Sequence, residues 1–140
     1  KLSHILENHP ELRTDLALAH HLRGELQELQ GEKKEALRDF TLGIHLLTMS
    51  PYESAAALIK LSLARAHVYF ELGQMDSALA DTDEALALLE NGNGEEASQT
   101  ADMLAAYNLK SRIYLSRDDA EAALFAQDRA LELMPANGAG

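Results

Sequence analysis

The stretch ELGQMDSALADTDEALALL (residues 71–89) supports two opposed readings. Asp76, Asp81, Asp83 and Glu84 place four carboxylates within nine residues, the density of a metal or acid–base site. Gly73 is followed by Ala78 at +5, Leu79 at +6, Ala85 at +12 and Leu86 at +13, which instead describes the small-and-aliphatic seam of a helix. The neighbouring sequence decides between them. GEKKEALRDFTLGIHLL (31–47) and DDAEAALFAQDRALELM (118–134) align with GQMDSALADTDEALALL (73–89) without a gap. The turn residues Gly31, Gly73 and Asp118 are followed in phase by Ala36, Ala78 and Ala123, then Leu37, Leu79 and Leu124. Gly43, Ala85 and Ala130 come at +12, with Ile44, Leu86 and Leu131 next. The seam is therefore the message of the stretch, and the chain is a repeat.

The residues before each turn are also in phase. Gly24, Ala66 and Ser111 stand seven before it, Leu26, Val68 and Ile113 five before, and Gln27, Tyr69 and Tyr114 four before. Pro10 to Pro51 is 41 residues and Pro51 to Pro135 is 84, twice 42, with the loop NGNG (91–94) standing where a middle proline would fall. Each unit reads as helix, tight turn, helix. First helices are expected over 11–30, 53–72 and 96–117, and second helices over 33–48, 75–90 and 120–134. Small residues at fixed places let two helix axes approach, and the aliphatics around them fill the seam. Proline, which cannot continue a helix, is expected to close each unit. The expected organisation is one domain over 1–140: the end of a preceding helix at 1–9, repeats at 11–51, 52–93 and 94–135, and a tail at 136–140. The chain is read as a fragment of a longer array.

Composition agrees. Apolar residues make up 46% of 140 residues, enough for one continuous core. Ala, Leu, Glu and Asp dominate, with 3 Pro and 8 Gly, which favours helix over sheet. The absence of cysteine excludes disulfides, thiolate metal sites and thiol catalysis, and fits a cytoplasmic location. A net charge of −11 opposes binding to nucleic-acid phosphates. No apolar run approaches the ~20 residues of a membrane span, so no membrane insertion is expected.

The pattern resembles the tetratricopeptide repeat (TPR) family. The family's small residue, tyrosine, turn residue, alanine and Ala-Leu-x-Leu-x-Pro ending correspond to Ser111, Tyr114, Asp118, Ala123 and ALELMP (130–135). The middle unit offers Ala66, Tyr69, Gly73, Ala78 and ALAL (85–88). Two departures stand out. The period is about 42 residues rather than about 34, and Arg23, Arg65 and Lys110 replace the leucine before the small residue. The resemblance implies an all-α, right-handed solenoid of antiparallel helix pairs, with first helices on the concave face. It implies a non-catalytic protein–protein interaction scaffold that binds a peptide or partner helix in the concave groove. The alternative is the sensory or regulatory arm of a larger signalling or transcription-regulating protein.

Carrying the family's concave face onto this chain gives the candidate contacts. They are His21, Glu25 and Glu28 in the first unit, Lys60, Leu63, His67 and Phe70 in the second, and Asn108, Arg112 and Leu115 in the third. Phe70 is either an anchor for a partner or a packing residue against the next repeat. The Lys/Asn/Arg clamp by which some TPR domains grip chaperone C-termini is not expected, because its places hold His21, Glu25, Ala64, Ala105 and Leu109. Lys60, Arg65, Lys110, Arg112 and Arg117, with His67, make the last two first helices basic within an acidic protein. Those bases either form a positive groove for an acidic segment or neutralise acids on neighbouring helices. Asp81 and Asp83 point about 200° apart on a helix and cannot clamp one ion. Asp76 suits a helix's first turn, and the remaining acids of the stretch are expected to face solvent. His21 and Glu25 share a helix face, but two ligands do not make a zinc site. No nucleophile–base pair and no phosphate-cradling loop is present, so no catalysis, metal or cofactor is expected. Self-association through exposed ends of the array is expected if those ends lack polar caps.

Overall fold

The chain is described in a computed structural model that covers residues 4–5, 9–49, 55–92 and 97–133. From residue 9 on, the described residues form six helices: α1 (Pro10–Leu29), α2 (Lys33–Thr48), α3 (Ala55–Glu71), α4 (Met75–Asn91), α5 (Ala97–Ser116) and α6 (Ala120–Glu132). They form three pairs, α1–α2, α3–α4 and α5–α6, and the fold among the described residues is an all-α helical-repeat solenoid. His4 and Ile5 are also helical. Pro10 corrects one expectation: it opens α1 at the first helical position, where its missing N–H costs nothing, rather than closing a unit. Pro51, Pro135 and the tail lie outside the described residues.

The three intra-pair turns are the same object. Gly31 and Gly73 adopt left-handed backbone with φ of 80° and 81°, and Asp118 does so with φ of 59°. In each, two amides reach back to carbonyls of the helix just ended. Gly31 donates to Glu28 and Glu32 to Gln27; Gly73 to Phe70 and Gln74 to Tyr69; Asp118 to Leu115 and Asp119 to Tyr114, all at 2.8–3.0 Å. This reciprocal pattern satisfies carbonyls that the helix end leaves without partners, and it requires the left-handed residue. The next helix begins at once, because Ala36, Ala78 and Ala123 donate to the carbonyls of Glu32, Gln74 and Asp119. A fixed turn thus sets a fixed angle between the helices of every pair.

Small residues set how closely they pack. A Cβ built on Gly24 would lie 2.8 Å from Cδ1 and 2.9 Å from Cζ of Phe40, whose side chain is fully buried. The ring fills the space that glycine leaves, and such burial stabilises by about 2–3 kcal/mol. Ala66 and Ser111 hold the matching positions, and both are buried.

The core runs through the stack instead of ending at each pair. Ala17, Ala36, Phe40, Leu47, Ala57, Leu61 and Val68 form one cluster from α1, α2 and α3. Ala66, Ala78, Leu109 and Ile113 join α3 and α4 to α5. Leu86, Ala106, Tyr107 and Ala130 join α4 to α5 and α6. Neighbouring first helices touch directly, α1 against α3 and α3 against α5, whereas the second helices α2, α4 and α6 do not touch one another. A layer of touching helices beside a layer of separated ones curves toward the first, so the first helices form the inner face.

Two faces at the ends of this stack stay exposed. Leu26 occupies the register of the buried Val68 and Ile113, yet it is exposed, as is its neighbour Leu22. Leu131 occupies the register of the buried Leu86 and is also exposed, as is Leu124.

Candidate functional site

The inner seam is built from side chains that cross between first helices. Lys60 of α3 reaches Asp102 of α5 at 3.0 Å. The guanidinium of Arg112 on α5 lies 4.8 Å from the centre of the Phe70 ring on α3. His67 of α3 places Nδ1 3.5 Å from Glu28 of α1 and 3.6 Å from Glu71 one turn along its own helix. Five residues expected on the concave face, Glu28, Lys60, His67, Phe70 and Arg112, therefore do lie along the line where first helices meet. Glu25 and Leu115 are exposed.

The others are placed differently. His21 is held against the Phe40 ring, with centroids 5.8 Å apart, and its Nε2 stands 3.7 Å from Glu25. Leu63 is half-buried in the core beside Met103. Asn108 turns toward α6 and accepts a hydrogen bond from Gln127 at 3.0 Å. Phe70 packs on the core shared by α3, α4 and α5, under Arg112, so it serves stacking between repeats rather than standing free as an anchor.

Most of the bases expected along a positive groove are paired with acids. Arg65 is held by Asp81, Lys110 by Asp83 at 2.7 Å, Arg117 by Asp76, Lys60 by Asp102, and His67 by Glu28 and Glu71. Arg65, Lys110, Arg117 and Lys60 each meet an acid of a neighbouring helix or turn, while Arg112 lies over the Phe70 ring.

Asp81 is the second correction. Asp76, Asp83 and Glu84 are exposed as expected, but Asp81 is 7% exposed. Arg65 donates to it twice, from Nε at 2.7 Å and from Nη2 at 2.8 Å. The first pair repeats this arrangement: Arg23 donates to Asp39 from Nε and Nη2, both at 2.7 Å, and His20 adds a third contact at 2.8 Å. The hydrogen bonds from Arg23 hold the Asp39 carboxyl below its ordinary range, against the opposing effect of burial. Arg23 and Arg65 stand eight residues before their turns, and Asp39 and Asp81 eight after. The arginines that depart from the family pattern thus have dedicated carboxylates, and the two-pronged geometry fixes helix against helix. Sequence alone carried this signal as a recurring Arg/Asp pair at matched distances from each turn, 16 residues apart.

The third pair departs. Its matching positions hold Lys110 and Ala126, and Lys110 turns to Asp83 of the preceding pair. A cleft of about 890 Å³ opens there between α4 and α6, over Tyr107, Lys110 and Tyr114 of α5. Phe125 lines it and is 70% exposed.

Among the described residues, one group has the donors for a metal ion: Glu28, His67 and Glu71 bring one ligand atom each to within 4.8 Å of one another. Two of these were expected on the inner face, and Glu71 was not singled out in the sequence. Burial pushes the Glu28 carboxyl above its ordinary range, opposed by the hydrogen bond with His67 and reinforced by Glu71 and Glu25.

No helix among the described residues is long and apolar enough to cross a membrane. No curated protein matches the chain. Residues 104–137, most of the third helix pair, match the tetratricopeptide repeat family model. The first two helix pairs repeat the turn and the register of that matched segment, so the likeness to the tetratricopeptide repeat extends in pattern beyond the residues matched.

Proposed function

We propose that the chain is a non-catalytic interaction module whose inner face, made by α1, α3 and α5, receives a peptide or a partner helix. The observation that supports this most is the contiguity of the first helices beside separated second helices. It gives a curved inner strip along which Glu25, Lys60, Arg112 and Leu115 remain exposed. An amphipathic helix or an extended segment suits such a strip, because spaced apolar and polar contacts are presented on a rigid backbone. Leu115 is 57% exposed and is the apolar contact the strip offers. A partner recovered with the full-length protein should bind at least about tenfold more weakly to Leu115→Asp and to the double variant Lys60→Glu/Arg112→Glu. Undiminished binding by both variants, each shown to be folded, would overturn the assignment to the inner face.

Self-association is a second reading, and the exposed end faces favour it. Leu22 and Leu26 on α1, and Leu124 and Leu131 on α6, are large apolar side chains left open at opposite ends of the stack. Apolar faces of this kind stack unless capped by polar residues. Light scattering should show mass rising with concentration, and Leu26→Lys should abolish the rise. A strict monomer at high concentration would remove this reading.

A further inference from the structure

We propose that Glu28, His67 and Glu71 form a zinc-class divalent metal site that ties the first helix pair to the second. His67 and Glu71 stand one turn apart on α3, so their side chains share a face. Glu28 projects onto the same point from α1, across the joint between repeats. The imidazole Nδ1 is 3.5 Å from a Glu28 oxygen and 3.6 Å from a Glu71 oxygen. Ligands about 2.0–2.1 Å from a tetrahedral zinc ion lie about 3.3–3.4 Å from one another. The two contacts of His67 are therefore within a few tenths of an ångström of that spacing, and the three ligand atoms lie within 4.8 Å of one another, a gap that side-chain rotation can close.

The charge balance points the same way. With a neutral imidazole, Glu28 and Glu71 set two carboxylates against one another, and Glu25 adds a third nearby. A divalent cation would relieve that repulsion. Glu28 and Glu71 of the triad line a hollow of about 520 Å³, with Leu22, Glu25, Leu26 and Lys33 among others, where water could complete the coordination. Lys33 on α2 is the cation of that lining, and no carboxylate among the described residues is paired with it.

One nitrogen and two carboxylate oxygens suit zinc among hard-to-borderline cations. Calcium takes six to eight oxygens and magnesium keeps most of its waters, so three protein donors would hold either weakly. The site needs no partner in the groove. Its consequence is mechanical: α1 and α3 meet along this line, and a metal bridging them would stiffen the curvature of the inner face.

The test is titration of the full chain, first stripped with a chelator, with zinc chloride at neutral pH by calorimetry, alongside thermal melts with and without zinc. The expected result is one zinc per chain, a melting temperature that rises with zinc, and at least about tenfold weaker binding in His67→Asn and Glu71→Gln. His45→Asn, an exposed histidine on α2, should bind as the parent does. Both His67 and Glu71 are partly exposed, so the variants should melt as the parent does without zinc. Absence of binding would overturn the proposal, as would full binding by His67→Asn or equal affinity for calcium. Full binding by Glu28→Gln would overturn the tie between the two helix pairs.

Discussion

The second and third helix pairs meet their predecessors at the same joint with different chemistry. In the second pair, Arg65 spans the joint: it donates twice to Asp81 of its own pair and once, at 3.3 Å, to Thr41 of the pair before. In the third pair, Lys110 has no carboxylate at the Asp81 register, where Ala126 stands, and it crosses to Asp83, which occupies the Thr41 register. A planar guanidinium can serve two neighbours in fixed directions, while an ammonium on a flexible stem takes the one charge within reach. Beside Lys110 the third joint is left with an open cleft between α4 and α6. Phe125 belongs to the difference. Its register in the other pairs holds the exposed residues Arg38 and Ala80, so its exposure comes from the outer face of the repeat and not from an unfilled stacking position.

The comparison can be broken most directly at Asp81. Asp81→Ala leaves the Arg65 guanidinium, 19% exposed, without its carboxylate, and should cost about 2–3 kcal/mol in chemical denaturation. Asp83→Ala removes the exposed partner of Lys110 and should cost no more than about 0.5 kcal/mol. Equal costs for the two would erase the distinction between the joints.

A further pair of substitutions tests whether spacing can be exchanged between repeats. Gly24→Ala installs the small residue that the second pair uses at Ala66. The Phe40 ring already fills that volume, so a loss of about 2 kcal/mol is expected from the same denaturation experiment. A neutral result would mean that the ring can move aside. The cleft can also be rebuilt toward the second joint by combining Lys110→Arg with Ala126→Asp. A double-mutant cycle should show a favourable coupling of about 1–2 kcal/mol, and strict additivity would show that the two sites do not meet.

The smallest expected effect is at the turns. Asp118 holds the left-handed conformation that glycine holds in the other two pairs. Asp118→Gly relieves that strain, offset by greater freedom of the unfolded chain, and should raise stability by no more than about 1 kcal/mol. The same measurement on Gly73→Asp should show a loss of similar size.

Much of the fold could be read without coordinates. Where the described residues show a helix boundary, the one expected from spacing falls within two residues of it, because left-handed turn residues and alternating small and large side chains are local requirements. Glu28, Lys60, His67, Phe70 and Arg112, carried over from the family's concave face, make contacts between first helices. What periodicity could not give was the neighbour across the gap. Phe70 was read as a possible anchor, and only the packing of α5 shows it covered by Arg112.

Sequence alone determined the helix pairs, the turns, the seam and the repeat, because each depends on residues a few positions apart. Tertiary structure alone decided which charges are satisfied. Asp81 in the stretch 71–89 looked like its neighbours Asp83 and Glu84, and it differs from them because α3 brings Arg65 onto it. It decided likewise that Glu28 reaches His67 and Glu71, since that meeting requires two helices to pack side by side. A carboxylate's role depends on the charge opposite it, and what lies opposite is fixed by packing between distant segments.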